Sequence, residues 1–420
     1  MGAISEILQG IPLPRMIHVY QSFPKNGLKD PMSFLRSQLE QDKFKNRILP
    51  GMSIAITCGS RGIANYPETL REIVSFCKEN RAKPFIIPAM GSHGGATADG
   101  QREMCETLGV TEEFCGCPIR ATMDTVPIGF TDEGHVIQID RFAHEADGII
   151  IVNRIKAHTV FCAPYESGLM KMCAIGLGKQ HGAQVLHQLG YGTIGHNIPL
   201  FGKAILQKAN ILFGVGLIDN AYEETENIEV LLPDEIEKRE PELLIEAKQN
   251  MARLLPGSTD VLIVDYMGKN ISGDGMDPHI TGKFHKWYHG EVHFTCDKLA
   301  VLDLTPESHG NFAGIEVANV MSKKLQDKMD PEATYPNSLT SCSSQSSPMC
   351  MKNDKETIQA AIKICGGVQP EDIRVIRIRD TLHVSDILVS ENMIDTIRDI
   401  PGITIGDVYE WTFDENGNLW

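Results

Sequence analysis

Residues 148–187 read GIIIVNRIKAHTVFCAPYESGLMKMCAIGLGKQHGAQVLH, and this stretch decides the fold. Gly148 to Val152 is a short β-branched apolar run, which predicts a buried strand. A histidine, His158, comes just past its end. Pro164 then opens a predicted helix over Tyr165 to about Leu177, with Lys171 in its middle among Leu169, Met170, Met172, Cys173, Ala174 and Ile175. Burial favours the neutral, reactive amine of a lysine, so Lys171 is a candidate for covalent attachment. The alternative is a surface lysine on the polar face of an amphipathic helix.

Working outward, the same strand–loop–helix pattern occurs twice earlier. Ser53 to Thr57 reads as a strand, followed by CGSRGIANYP and a helix from Pro67 with Leu70, Ile73, Val74 and Cys77 at helical spacing. Pro84 to Pro88 reads as a second strand, followed by AMGSHGGAT, with Thr97 placed to cap a helix over Ala98 to Leu108. Three such cycles predict a mainly parallel sheet. Ligands of such sheets sit beyond the carboxyl ends of the strands. Arg61, His93 and His158 all fall there, and the shared placement carries more weight than any one of them.

After His187 the chain is Gly-rich to about Gly202, then apolar from Ile211 to Ile218. Residues 221–256 are rich in Glu and predict an exposed, mostly helical connection. A second unit is expected from about Thr259, with strands at Val261–Val264, Lys298–Leu304 and 373–378, helices at 354–364 and 390–398, and a Ser-rich loop over 336–348. The expected division is therefore 1–257 as a cofactor-binding α/β domain and 258–404 as a second α/β domain. The tail 405–420 is expected to pack back on the first. The fold class is α/β in two domains, each with a mainly parallel or mixed sheet flanked by helices, and an active site in the cleft between them. No internal repeat is visible.

A net charge of −16 excludes nucleic acid and an acidic membrane as natural partners. The eleven cysteines follow no repeating frame, which points to reduced thiols and a cytoplasmic protein. The N-terminus lacks the basic start and apolar core of a signal peptide. Its Ser5 stands one place too early for myristoylation. No apolar run is long enough to span a membrane.

Several short motifs fail on inspection. AIGLGKQ resembles the end of a P-loop, but its first Gly is missing and Gln180 replaces Ser or Thr. It fails GxGxxG as well. His285, His289 and His293 would share a helical face with His279 nearby, yet Gly290 interrupts that helix and no HExxH is present. GDGMD, from Gly273 to Asp277, is too short for a calcium loop and reads as a tight turn. The loops GSRG and GSHGGAT can still hold a phosphate through backbone N–H groups, with Arg61 adding a forked charge.

Taken in order, SRG, GSH, KAH, ESGLMK and the later His187 resemble the nickel-dependent lactate racemase family. The resemblance implies a nickel-pincer nucleotide, a pyridinium mononucleotide gripping one nickel ion. It would be covalently held on Lys171, with Ser60, Arg61 and Gly168 beside it and His187 as metal ligand. It implies His93 and His158 as the catalytic pair, and Arg61, Tyr165 and Lys269 as substrate-binding residues. There are departures: Ser92 stands for Thr, Leu169 for Gly, about three extra residues separate His158 from the lysine, and APYESG replaces HxxAGFSGG. These change the wall beside the substrate, which is expected to be a 2-hydroxy acid or a larger, sugar-like polyhydroxy compound.

Chemistry accounts for such a set. Removing hydrogen as a proton from carbon beside a carboxylate places charge next to charge. Removing it as hydride needs an electrophile that side chains do not supply, hence a cofactor. Proton transfer at the hydroxyl, on either face, calls for two histidines. The implied activity is a racemase or epimerase. The alternatives are a Schiff-base lyase or aldolase using Lys171, and a non-catalytic binder of small acids using Arg61.

Overall fold

In chain order the strands are β1 Met16–Gln21, β2 Ser53–Cys58, β3 Lys83–Pro88, β4 Thr125–Phe130, β5 Val136–Asp140, β6 Gly148–Arg154, β7 Ile211–Asp219 and β8 Thr225–Leu231. They continue as β9 Thr259–Met267, β10 Cys296–Leu304, β11 Val320–Ser322, β12 Met349–Met351, β13 Val375–Ile378, β14 Asp386–Ser390 and β15 Ile403–Tyr409. The computed structural model describes residues 2–340 and 346–420. They divide into two units.

One unit holds Pro24–Met251 and a short segment from Pro336. Its sheet runs β3-β2-β6-β7-β8. Neighbours among β3, β2, β6 and β7 are parallel, and β8 returns antiparallel to β7. Successive strand side chains point to opposite faces, so Ile54, Ile56, Ile150 and Val152 meet Leu70, Ile73 and Cys77 of the helix Tyr66–Glu79. Ala55, Ile149 and Ile151 join the other core, with Leu169, Ile198, Phe201 and Leu243. Burial on both faces is why these strands read as continuous apolar runs. The expected cap is present: Thr97 Oγ1 accepts from Gly100 N at 3.1 Å.

The other unit takes the chain as far as Phe23, then Ala252–Tyr335 and the C-terminal stretch to Trp420. Its sheet runs β12-β11-β10-β9-β13-β14-β1-β15. It is parallel from β12 to β13 and antiparallel from β13 to β15. This corrects the expected domain division. β1 pairs with β14 and β15, so the N-terminus and the tail close the sheet of the second unit. The tail packs on residues beside β1, with Trp411 Nε1 donating to Pro14 O at 2.8 Å. Backbone pairing between strands far apart in sequence overrides a boundary drawn at one point in the chain.

Three further expectations change. The helix expected from Tyr165 begins only at Leu169, becomes a π-helical turn over Met172–Gly176, and restarts as Lys179–His187. The Glu-rich region is no exposed connection: β8 is followed by a helix, Pro233–Asn250, that buries Ile236, Glu240, Leu243, Leu244 and Ala247. Of the expected Ser-rich loop, residues up to Thr340 end the helix Pro331–Thr340, while 341–345 lie outside the described residues. GDGMD is a turn, with Gly275 at φ +72° and its N–H bonded to Ser272 O. Among the described residues, no helix is long and apolar enough to cross a membrane.

Candidate active site

The loops after β2, β3 and β6 carry Ser60 and Arg61, His93, and His158, all partly buried. The segment 168–187 touches each of these strand ends. Asn153 Nδ2, in β6, donates to Gly168 O at 2.8 Å. A Cβ on Gly59, just before Ser60, would lie 3.5 Å from Met172 Cε. A Cβ on Gly91 would lie 3.1 Å from Ile175 Cγ2 and 3.6 Å from the Ala183 methyl. Gly91 N also donates to Gly176 O at 3.4 Å. Three strand ends and the lysine segment therefore form one packed region.

Residues 159–167 are not helical, and Glu166 captures amides in and beside this loop. Its buried carboxylate accepts from His158 N at 2.6 Å and Ala163 N at 3.2 Å, and Lys248 Nζ binds it at 2.5 Å. Ser167 instead bridges back to Lys156. The His158 ring lies 4.3 Å from the Phe161 ring, centroid to centroid. Its Nδ1 accepts the Val160 N–H at 3.0 Å. A backbone N–H can only donate, so neutral His158 carries its proton on Nε2.

Lys171 sits at the end of the short helix Leu169–Lys171. The start of that helix is held by Glu240, whose carboxyl accepts from Met170 N at 2.9 Å and also faces Leu169 N. Burial pushes Glu240 up to about 8, against these amides. Gly168 is required for the same reason. Its φ of 173° is ordinary extended backbone, but a Cβ there would meet Glu240 Oε1 at 2.1 Å.

His187 ends the helix Lys179–His187. Burial pushes its pKa down to about 4, and the Lys171 ammonium pushes the same way. The two expected anchor residues are thus within electrostatic reach of each other. Nδ1 of His187 is buried with no hydrogen-bond partner among the described residues, and the ring lies beside Tyr191 at 5.6 Å.

Two expected substrate residues each hold a hydrogen bond within their own unit. The Tyr165 hydroxyl donates to Glu237 O at 2.6 Å. Pro241 has no N–H for that carbonyl in the helix Pro233–Asn250, so Tyr165 supplies the missing donor and packs in the core. Lys269 belongs to the other unit, where its Nζ donates to Gly273 O at 2.5 Å. As Gly290 implied, no helix aligns His285, His289 and His293: only Pro278–Thr281 is helical there, and His285 faces Asp274 at 3.6 Å. Among the described residues, no group of three or more His, Cys, Asp or Glu is arranged to hold a metal ion. Glu166 and Glu240 were not singled out by sequence. The available signal was a Pro following Glu240 within a helical pattern.

Residues 18–196 match the family described as the lactate racemase N-terminal domain. No curated protein matches. The lactate racemase apoprotein from Thermoanaerobacterium thermosaccharolyticum is similar in fold, with a TM-score of 0.51 at 13% identity, over 88% of this chain and 99% of that one. The fold is thus the two-domain α/β fold of the lactate racemases. The family match covers residues 18–196 alone, and the likeness over the rest of the chain is one of fold.

Proposed function

We propose that this protein is a racemase or epimerase inverting the carbinol carbon of a 2-hydroxy acid or a related polyhydroxy compound. Family and fold point to an isomerase of racemase type. The finer reading takes in a nickel-pincer nucleotide held covalently by Lys171, with His187 as its protein ligand to nickel. When bound, that group supplies an acceptor and donor of hydride.

The observation that carries this reading is His187. A neutral imidazole with a partnerless buried nitrogen, next to a lysine, suits one metal ligand beside one covalent anchor. Ser60 and Arg61 lie in the adjoining Gly-rich loop, where backbone N–H groups and a guanidinium suit a phosphate or carboxylate. Gly168 lets the lysine segment close on Glu240.

His93 and His158 move the hydroxyl proton. They are unequal at the outset, since neutral His158 offers an Nε2–H. It begins as a donor to the substrate oxygen, and His93 begins as the acceptor of the hydroxyl proton. Tyr165 is left out, its hydroxyl being committed to the Glu237 carbonyl.

The test is intact-mass and nickel analysis after expression with the cofactor-making enzymes. One adduct on Lys171 and about one nickel per chain are expected, with both lost in Lys171→Ala. Active protein with unmodified Lys171 overturns the reading. Borohydride trapping of a carbonyl substrate on Lys171 would favour the aldolase chemistry instead.

A further inference from the structure

We propose that Lys179 and Gln101 are positioning residues that hold His93 in register with the segment carrying Lys171 and His187. The inference rests on His93 being a site residue, as proposed above.

Lys179 is fully buried. It lies where the π-helical turn Met172–Gly176 gives way to the helix ending in His187. Its backbone is left-handed, at φ +54°. A lysine there costs on the order of 1 kcal/mol in backbone strain, and burying its ammonium costs several more. The side chain uses its position fully. Nζ donates to Pro88 O at 2.7 Å and to Gln101 Oε1 at 2.5 Å, with Asp140 Oδ2 at 3.6 Å. Burial lowers the Lys179 pKa, and Asp140 opposes that shift.

Gln101 is also fully buried, near the start of the helix Ala98–Thr107. Its amide nitrogen donates to Gly91 O at 2.9 Å and to His93 O at 3.0 Å. Lys179 fixes which way round that amide sits, because an ammonium demands the oxygen. Both N–H groups are then aimed at the loop. Lys179 thereby holds Pro88 directly, and Gly91 and His93 through Gln101. Gly100 completes the fit: a Cβ there would meet Gly94 O at 2.2 Å. This gives the AIGLGKQ segment its purpose. Its lysine is an internal strut between the two halves of the site, and it binds no phosphate.

A lysine kept only for stability would be replaceable by an apolar side chain of similar volume. The proposal instead requires a specific effect on His93. The test uses the full-length chain with isotope-labelled histidine rings, the His93 signal being assigned through His93→Gln. In Gln101→Glu one carboxylate oxygen keeps the Lys179 contact, but the other, in place of the amide nitrogen, faces the Gly91 and His93 carbonyls. The His93 ring signal should shift or broaden, and amide exchange over residues 89–97 should quicken by about tenfold. Lys179→Met should act in the same direction, with the other histidine rings as internal controls. If either variant fails to fold, the other decides. An unchanged His93 signal and unchanged loop exchange in a folded variant overturn the proposal. Failure of Lys171 to acquire a cofactor would leave this readout untouched, so the two readings fail separately.

Discussion

The two units bury charge in different ways. In the unit that carries His93, His158 and Lys171, three buried charges, Lys179, Glu166 and Glu240, bond to backbone, two of them beside an opposite charge as well. Lys179 and Gln101 reach the His93 loop, Glu166 takes the amides around His158, and Glu240 takes those ahead of Lys171. In the other unit, Arg377 and Asp354 are each held in an ion pair. Arg377 pairs with Asp265 through two bonds of 2.7 and 3.0 Å, and its guanidinium lies among Tyr409, Trp411 and Trp420. Lys324 pairs with Asp354 at 2.8 Å, and Asp354 accepts from Leu419 N. There the charges fasten the tail. Burial of an ion does not by itself mark a site. What the ion holds separates a device for loop placement from a device for chain closure.

The largest expected effect tests the closing side. Arg377→Met strands the Asp265 carboxylate and should destabilise its unit by about 3–5 kcal/mol. All three tryptophans, Trp287, Trp411 and Trp420, lie in that unit, so denaturation followed by tryptophan fluorescence reads it directly. Cofactor attachment at Lys171 should survive at low denaturant, and its loss there would break the contrast. Next, Glu240→Ala leaves the buried Met170 amide without its acceptor and should cost about 1–3 kcal/mol. Local exchange over residues 168–176 is the measurement.

Glu240 also makes a pH prediction. Its carboxyl keeps its proton to about 8 when folded, against 4.5 ordinarily. Between those values the folded chain binds the extra proton. Stability therefore falls as pH rises through the interval, by up to about 1.4 kcal/mol per pH unit, and levels off above it. Glu240→Gln should flatten that slope in melting experiments across the interval. Glu166→Gln should cost no more than Glu240→Ala, about 1–3 kcal/mol, with faster exchange at His158 and Ala163. The smallest effect is spectroscopic and leaves stability unchanged: the ring nitrogens of neutral His158 should report a proton on Nε2. A proton on Nδ1 would remove the proposed inequality of the two histidines.

Much of the parallel framework was legible in sequence. β2, β3, β6, β9 and β10 are apolar runs ending in polar loops, because each is covered on both faces. The placement of Arg61, His93 and His158 just after such runs was legible too. The pairing of β1 with β15 was not, since nothing local in either segment names a partner at the far end of the chain. β8 was hidden by glutamates, and the helix after it, legible as helical, was assigned to solvent by composition although Glu240 is interior. Residues 165–168 passed for helix because Pro164 reads as a helix start. Glu166 instead turns its carboxylate to the amides of His158 and Ala163. Polar residues that serve backbone groups leave no periodic trace, so the supports of the site were harder to see than the site itself.

Gly168 and Glu240 occupy one small volume. An added methyl at the first position collides with the carboxyl of the second, and a shortened second position leaves an amide bare. Neither can drift alone. A relative that lengthens one must trim the other and find a new cap for its lysine turn. Two sites that look unrelated in a linear alignment would then change as a pair.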